Sequence, residues 1–271
     1  MKSGYVVEVL TPKLNAKDPG KAIEGFEQCY RKVVDQGLVV SLPDNPMGGK
    51  HLPALEVIGE LGLPAPAGQV LLHINTFHTV ESLVRTLQIA DSLNIDNLLL
   101  ISGDGAEGLP RLASQELGLD GNTAATAADL LEYIGREYPG RFNLGVVFNP
   151  YVPSSLEFAK LARKAEAGAT FVVTQPVVGL DMRLLAVART GLPVYVGAWM
   201  SMRLELLSRC VGAQVPDWKL YDPMENLFFL RRRYRQWGLY LAALSFKTQF
   251  NDAVDLLSDD GAECCSCCGC G

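Results

Sequence analysis

The sequence predicts a single soluble (β/α)8 barrel, a TIM barrel of the α/β class, on three observations. Short runs rich in Val, Ile and Leu recur along the chain with little alternation, the pattern of parallel strands covered on both faces. Segments with helical patterning separate them, so that strands and helices alternate as βαβ crossovers. Eight such units in a chain of 271 residues match one closed barrel, typically about 250 residues.

The elements follow in order. Tyr5–Leu10 reads as the first strand and Lys21–Gln36 as the first helix. Leu38–Leu42 is the second strand, and Pro43–Lys50, rich in Pro, Gly and Asn, is a loop. A short helix over Leu52–Leu61 leads to the third strand, Val70–Ile74, and its helix, Val80–Leu93. Asn97–Ile101 is the fourth strand, Ser102–Gly105 its turn, and Ala124–Glu137 the fourth helix. Asn143–Phe148, Ser155–Ala167 and Thr170–Thr174 give strand, helix, strand. Asp181–Arg189 and Met202–Val211 flank a seventh strand at Pro193–Val196, and Glu225–Trp237 is an additional helix. Leu239–Ser245 is either the eighth strand or a continuation of that helix, and Lys247–Leu257 closes the barrel. The sequence thus divides into a barrel over residues 1–258 and a Cys-rich tail over 259–271.

Composition narrows the function. A net charge of -6 argues against a nucleic-acid footprint, which needs a basic face. No apolar run approaches the roughly 18 residues of a membrane span, and the start lacks the apolar core of a signal peptide, so a cytoplasmic protein is expected. Walker and Gly-x-Ser-x-Gly patterns are missing, and the Gly-x-Gly-x-x-Gly run at Gly103, Gly105 and Gly108 opens no helix in the predicted order, which disfavours a Rossmann dehydrogenase and a serine hydrolase.

Barrel chemistry sits at the C-terminal ends of strands. The polar residues there are Glu8, Ser41, Asp44, His73, Asn75, Thr76, Asp104, Asn149, Thr174 and Gln175. Glu8 interrupts an apolar strand; it is either a solvated strand-end charge or a general acid with a raised pKa. Asp104, between Gly103 and Gly105, is either a turn-forming residue or an anion beside a ligand that the glycines let approach. Gln175 is a loop amide or a reader of a heterocycle edge. His73 is a satisfied core residue or a ligand contact. Arg163 and Lys164 read as a solvated helix face, as do Arg231–Arg233 with Arg235. Cys29 and Cys210, each isolated, read as small buried residues.

Taken together these residues resemble the methylenetetrahydrofolate reductase family. The first strand carries Glu8-Val9-Leu10-Thr11-Pro12, the third His73, and the fourth ends in Ser102-Gly103-Asp104. The fifth leads into Asn149-Pro150, and Arg163-Lys164-Ala165-Glu166-Ala167-Gly168-Ala169 runs on to Thr174-Gln175. The match is best over residues 66–181. The resemblance implies a folate-dependent oxidoreductase interconverting 5,10-methylenetetrahydrofolate and 5-methyltetrahydrofolate through FAD, with NAD(P)H as donor. It makes Glu8 the acid that protonates the folate nitrogen as the five-membered ring opens. It places Asp104 against flavin and pterin, and Gln175 on the pterin edge. His73, Ser102, Gly103, Asp104, Asn149, Arg163 and Lys164 fall at cofactor-binding places. Ser102 stands where the family has Arg, Asn149 where it has an aromatic, and Leu42 where a hydroxyl is expected; Tyr151-Val152-Pro153-Ser154 lacks the His-Pro character. The departures fall on the flavin side, so folate is expected to bind more securely than FAD.

The tail holds Cys264, Cys265, Cys267, Cys268 and Cys270. Its Cys-x-x-Cys pairs have metal-ligand spacing, its terminal position suits an unstructured end, and an iron–sulfur or redox role is a third reading. Two other functions compete with the reductase: a flavin-poor methyl-transfer or demethylation component, and a subunit docking to an electron-transfer partner through the tail. The oligomeric state is open.

Overall fold

The computed structural model describes residues 1, 4–105, 108–121, 123–215 and 221–258. Eight parallel strands close on themselves in chain order. They are β1 (Tyr5–Glu8), β2 (Val39–Leu42), β3 (Val70–Ile74), β4 (Asn97–Leu100), β5 (Asn143–Phe148), β6 (Phe171–Thr174), β7 (Val194–Trp199) and β8 (Gly238–Ala242). The helices are α1 (Pro19–Asp35), α2 (Ala54–Glu60), α3 (Val80–Ser92), α4 (Ala127–Glu137), α5 (Ser154–Glu166), α6 (Met182–Val187), α7 (Leu204–Val211), α8 (Pro223–Arg233) and α9 (Phe250–Ser258). The eighth segment is a strand: Val6 pairs with Tyr240 and Val196 with Leu239. β1 stops at Glu8 rather than Leu10, and β7 runs three residues past the expected end, to Trp199. α4 begins at Ala127 because the Thr126 side chain accepts from the Asp129 N–H in a reciprocal capping box, which satisfies otherwise orphaned donors.

Alternate residues of each strand divide two packed layers. Val7, Val40, Leu72, Leu98, Val146, Val172, Val196 and Leu241 point outward and pack under the helices. Val6, Val39, Leu71, Leu99, Phe171, Val173 and Tyr240 fill the barrel interior. The floor is made by the Phe171 and Tyr195 rings, edge to face at 5.9 Å. They fit because Gly145 and Gly238 lack side chains: a Cβ on Gly145 would stand 2.2 Å from the Phe171 ring, and one on Gly238 2.3 Å from Tyr195.

One assignment is reversed. The expected additional helix, now α8, packs on the outside of β7, with Leu227, Leu230 and Tyr234 in the outer layer. The extra element is α7. Its buried Leu204, Leu207 and Val211 join Val173, Trp199 and Tyr240 of the barrel interior, so α7 lies across the C-terminal mouth. Three contacts hold it there. Asn149 Nδ2 donates to the Val211 carbonyl at 3.0 Å, Trp199 Nε1 to the Arg203 carbonyl at 3.3 Å, and Cys210 Sγ sits 3.6 Å from Met47 Sδ. Among the described residues no helix is long and apolar enough to cross a membrane.

Candidate functional site

A cavity of about 1550 Å³ opens at the C-terminal mouth, beside α7. Glu8, His73, Ser102, Gly103, Asp104, Asn149, Arg163, Lys164 and Gln175 all line it. The structure brings these residues to one cavity but gives them unequal freedom to act.

Glu8 ends β1 and shares its inward face with Val6, two residues before it. Its Oε2 accepts a hydrogen bond from the Tyr240 hydroxyl at 3.0 Å. Burial pushes the carboxyl above the usual carboxylate range; the Tyr240 bond and the Ala243 backbone N–H oppose it, and burial wins. An acid in such a place keeps its proton and can give it to a base bound nearby. Behind Tyr240 a polar cluster continues: its oxygen lies 3.1 Å from Ser41 Oγ and 3.3 Å from His73 Nε2, and Ser41 and His73 are 2.8 Å apart. Burial pushes the His73 imidazole down to about 4, against the pull of Asp44. His73 is therefore neutral at neutral pH, a member of the interior network. The hydroxyl expected at the end of the second strand is Ser41. Leu42 is fully buried in the outer layer, because one residue along a strand reverses the face.

Asp104 lies past β4, exposed at the mouth, where its Oδ2 accepts the Met47 N–H at 2.8 Å. This bond ties the β2–α2 loop over the site. Met47 takes a left-handed conformation there, with φ 55°, costly for a residue with a side chain. Gly103 and Gly105 do not open a path for a ligand, as the sequence suggested. A Cβ on Gly103 would lie 2.7 Å from Asn75 Cβ, and one on Gly105 2.7 Å from the Phe77 ring; the glycines are needed by their own neighbours. Gln175 follows β6, with its backbone N–H on the Phe148 carbonyl. Among the described residues no side chain or backbone group bonds its amide, which lines the cavity.

Of the residues that resemblance gives to the flavin, Asn149 and Lys164 are engaged otherwise. Ser102 is exposed and brings no cation. The Asn149 amide holds α7 through Val211, and its Oδ1 accepts the Tyr151 N–H at 2.9 Å. Lys164 Nζ donates to the Val147 carbonyl at 2.6 Å, and burial lowers its pKa, with Glu157 opposing and Lys160 adding to the shift. Arg163 remains exposed on the cavity wall.

Residues missed from sequence come from β8 and α7. Tyr240 in an apolar strand reads as core; the signal that marks it is its position across from Glu8, visible only once β8 is a strand. Cys210 is not a buried filler. It lines the mouth with Arg203 and Arg209, its thiol pushed up to about 11 by burial and by the negative charges of Glu8 and Asp104. Among the described residues no group of His, Cys, Asp and Glu could hold a metal ion. Cys264, Cys265, Cys267, Cys268 and Cys270 lie outside the described residues.

No family model matches the chain, and no curated protein sequence matches it. Solved structures do. A 7,8-dihydropteroate synthase from Vibrio fischeri aligns with a TM-score of 0.50 at 10% identity, over 95% of this chain and 91% of that one. A putative lyase/mutase from Burkholderia cenocepacia aligns with a TM-score of 0.50 at 12% identity, over 95% of this chain and 83% of that one. At these identities the likeness is one of fold.

Proposed function

We propose that the protein is an enzyme that binds a reduced folate in the barrel mouth and interconverts 5,10-methylenetetrahydrofolate and 5-methyltetrahydrofolate. The observation that carries this reading is that Glu8, buried at the end of β1 with its carboxyl pushed above the usual carboxylate range, shares one cavity with the carboxylate of Asp104 and the uncommitted amide of Gln175. Glu8 gives its proton to the folate nitrogen that leaves as the five-membered ring opens, and a hydride equivalent reduces the one-carbon unit to a methyl group. Gln175, a donor and an acceptor at once, suits the pterin edge. Asp104, which lines the same cavity, suits a developing positive charge on the opened ring. One fold neighbour is a 7,8-dihydropteroate synthase; a pterin enzyme is in keeping with the barrel, but the residues carry the proposal.

The flavin side does not fit a firmly held FAD. Asn149 and Lys164 are bonded within the protein, and Ser102 brings no charge where a guanidinium would meet a phosphate or ring oxygen. A charge-assisted contact contributes about 1.5–3 kcal/mol, so its loss alone weakens binding by more than about tenfold. NAD(P)H is the source of reducing equivalents in this reading. The same observation favours a second reading, a flavin-free methyl-transfer component that keeps the folate and leaves NAD(P)H alone. Anaerobic incubation with 5,10-methylenetetrahydrofolate and NADH or NADPH, with and without added FAD, separates the two. Formation of 5-methyltetrahydrofolate with matching nicotinamide oxidation is the expected result. Folate binding without nicotinamide oxidation under all four conditions overturns the reductase in favour of the second reading.

A further inference from the structure

We propose that Tyr240 is the positioning residue of the proton donor: its hydroxyl occupies Glu8 Oε2 and prepares the site for the carboxylate that Glu8 becomes when its proton leaves. The inference rests on the reading of Glu8 as an acid given above, and it concerns a residue that neither the strand-end pattern nor the family resemblance singles out.

Three observations support it. The first is the direction of the bond. Tyr240 donates to Oε2 at 3.0 Å. Burial and the nearby Glu8 charge hold its phenol pKa far up, so it stays a donor wherever the protein works. With Oε2 taken as an acceptor, the acid proton belongs on Oε1. The second is that Tyr240 is itself fixed. It is 5% exposed, and its oxygen has Ser41 and His73 as further partners at 3.1 and 3.3 Å. A phenol held from behind by two polar neighbours is placed to turn its one proton forward. The third is that the Ala243 backbone, just past β8, also favours the charged form of Glu8.

Other groups facing Glu8 do not replace this pair. His73 of β3 is neutral, and Asp44 after β2 acts on His73. Cys210 of α7 stays a thiol, its pKa pushed up to about 11 by burial and by Glu8 and Asp104. Arg209 of α7 is exposed on the cavity wall. Tyr240 is thus the side chain that bonds the carboxylate itself. A core tyrosine with no such role would make the same packing contacts, and the two roles differ in what they do to the titration of Glu8.

The test is an infrared titration of the folate-free protein that follows the protonated carboxyl band, with Glu8→Gln identifying the band that belongs to Glu8. In Tyr240→Phe the charged form of Glu8 loses a donor, so its midpoint should move upward by about one to two pH units. In turnover assays kcat should fall by about ten- to a hundredfold, its alkaline limb moving with the midpoint, and KM for the folate should change little. If Tyr240→Phe only lowers the melting temperature while the Glu8 midpoint stays in place, the inference is overturned. Should that variant not fold, Ser41→Ala removes the hydroxyl behind the phenol and should move the midpoint the same way by less; an unmoved midpoint there also overturns it. The titration contains no folate, so it separates the claims. A shifted midpoint in a protein that makes no 5-methyltetrahydrofolate keeps the Tyr240–Glu8 pairing and removes the reductase reading. An unshifted midpoint in an active enzyme does the reverse.

Discussion

Glu8→Gln should abolish most turnover and make the protein more stable at neutral pH. Loss of a positioned general acid typically costs about 100- to 10,000-fold in rate, and the amide has no acid proton to give. The stability change has the opposite sign for the same reason. The native Glu8 holds its proton above the usual carboxylate range, whereas the unfolded chain releases it there. Over that interval the native state binds more protons than the unfolded state, so wild-type stability falls as pH rises through it. Gln cannot ionise and keeps an acceptor for Tyr240. The two proteins should melt alike below the ordinary carboxylate pKa and diverge above it, with the variant higher by about 2–4 °C for each kcal/mol recovered. Melting curves across the pH range, taken beside turnover, check both. Near-normal turnover would remove Glu8 from the mechanism, and a pH-independent difference in melting would remove the burial argument.

Gly238→Ala should be among the most damaging single substitutions in the barrel. A Cβ there would lie 2.3 and 2.5 Å from the Tyr195 ring and 2.6 Å from the Gly4 carbonyl oxygen. The ring cannot swing clear, since Phe171 packs against it, and the carbonyl belongs to the backbone beside β1. Overpacking of this kind costs typically 1–3 kcal/mol; with backbone on one side about 3 kcal/mol is expected, a fall in melting temperature of about 6–12 °C. Gly59→Ala is the control. It lies inside α2 with open space around its Cβ position, and there alanine should stabilise by about 0.5–1 kcal/mol. Equal effects of the two substitutions would mean that the floor of the barrel is not packed as described.

The strands were legible because a parallel sheet covered on both sides leaves near-continuous apolar runs, and the strand-end polar residues were legible because nothing in such a run explains a Glu or a Gln. What the sequence could not say is what a buried face is buried against. Leu204, Leu207 and Val211 have the spacing of an outer barrel helix, yet they seal the mouth, while α8, whose basic run looked like an exposed extra helix, packs on β7. Face was equally hidden at Ser41 and Leu42, adjacent residues that serve opposite layers. Tyr240 was invisible because an aromatic in an apolar strand announces only hydrophobicity; its role comes from a hydrogen bond to a residue 232 positions away. The glycines beside Asp104 were seen, but their cause, the Asn75 and Phe77 side chains, is set by tertiary packing.

The central claim is that the mouth is built for a reduced folate and not for tightly bound FAD. Titration calorimetry with 5-methyltetrahydrofolate and with FAD, on the purified protein and on Gln175→Ala, tests it most directly. The account predicts one folate site per chain that Gln175→Ala weakens at least tenfold, a loss of about 1.4 kcal/mol or more, and FAD binding that is weaker and removed by dialysis. FAD that co-purifies at one per chain and survives dialysis, with no measurable folate binding, would contradict it.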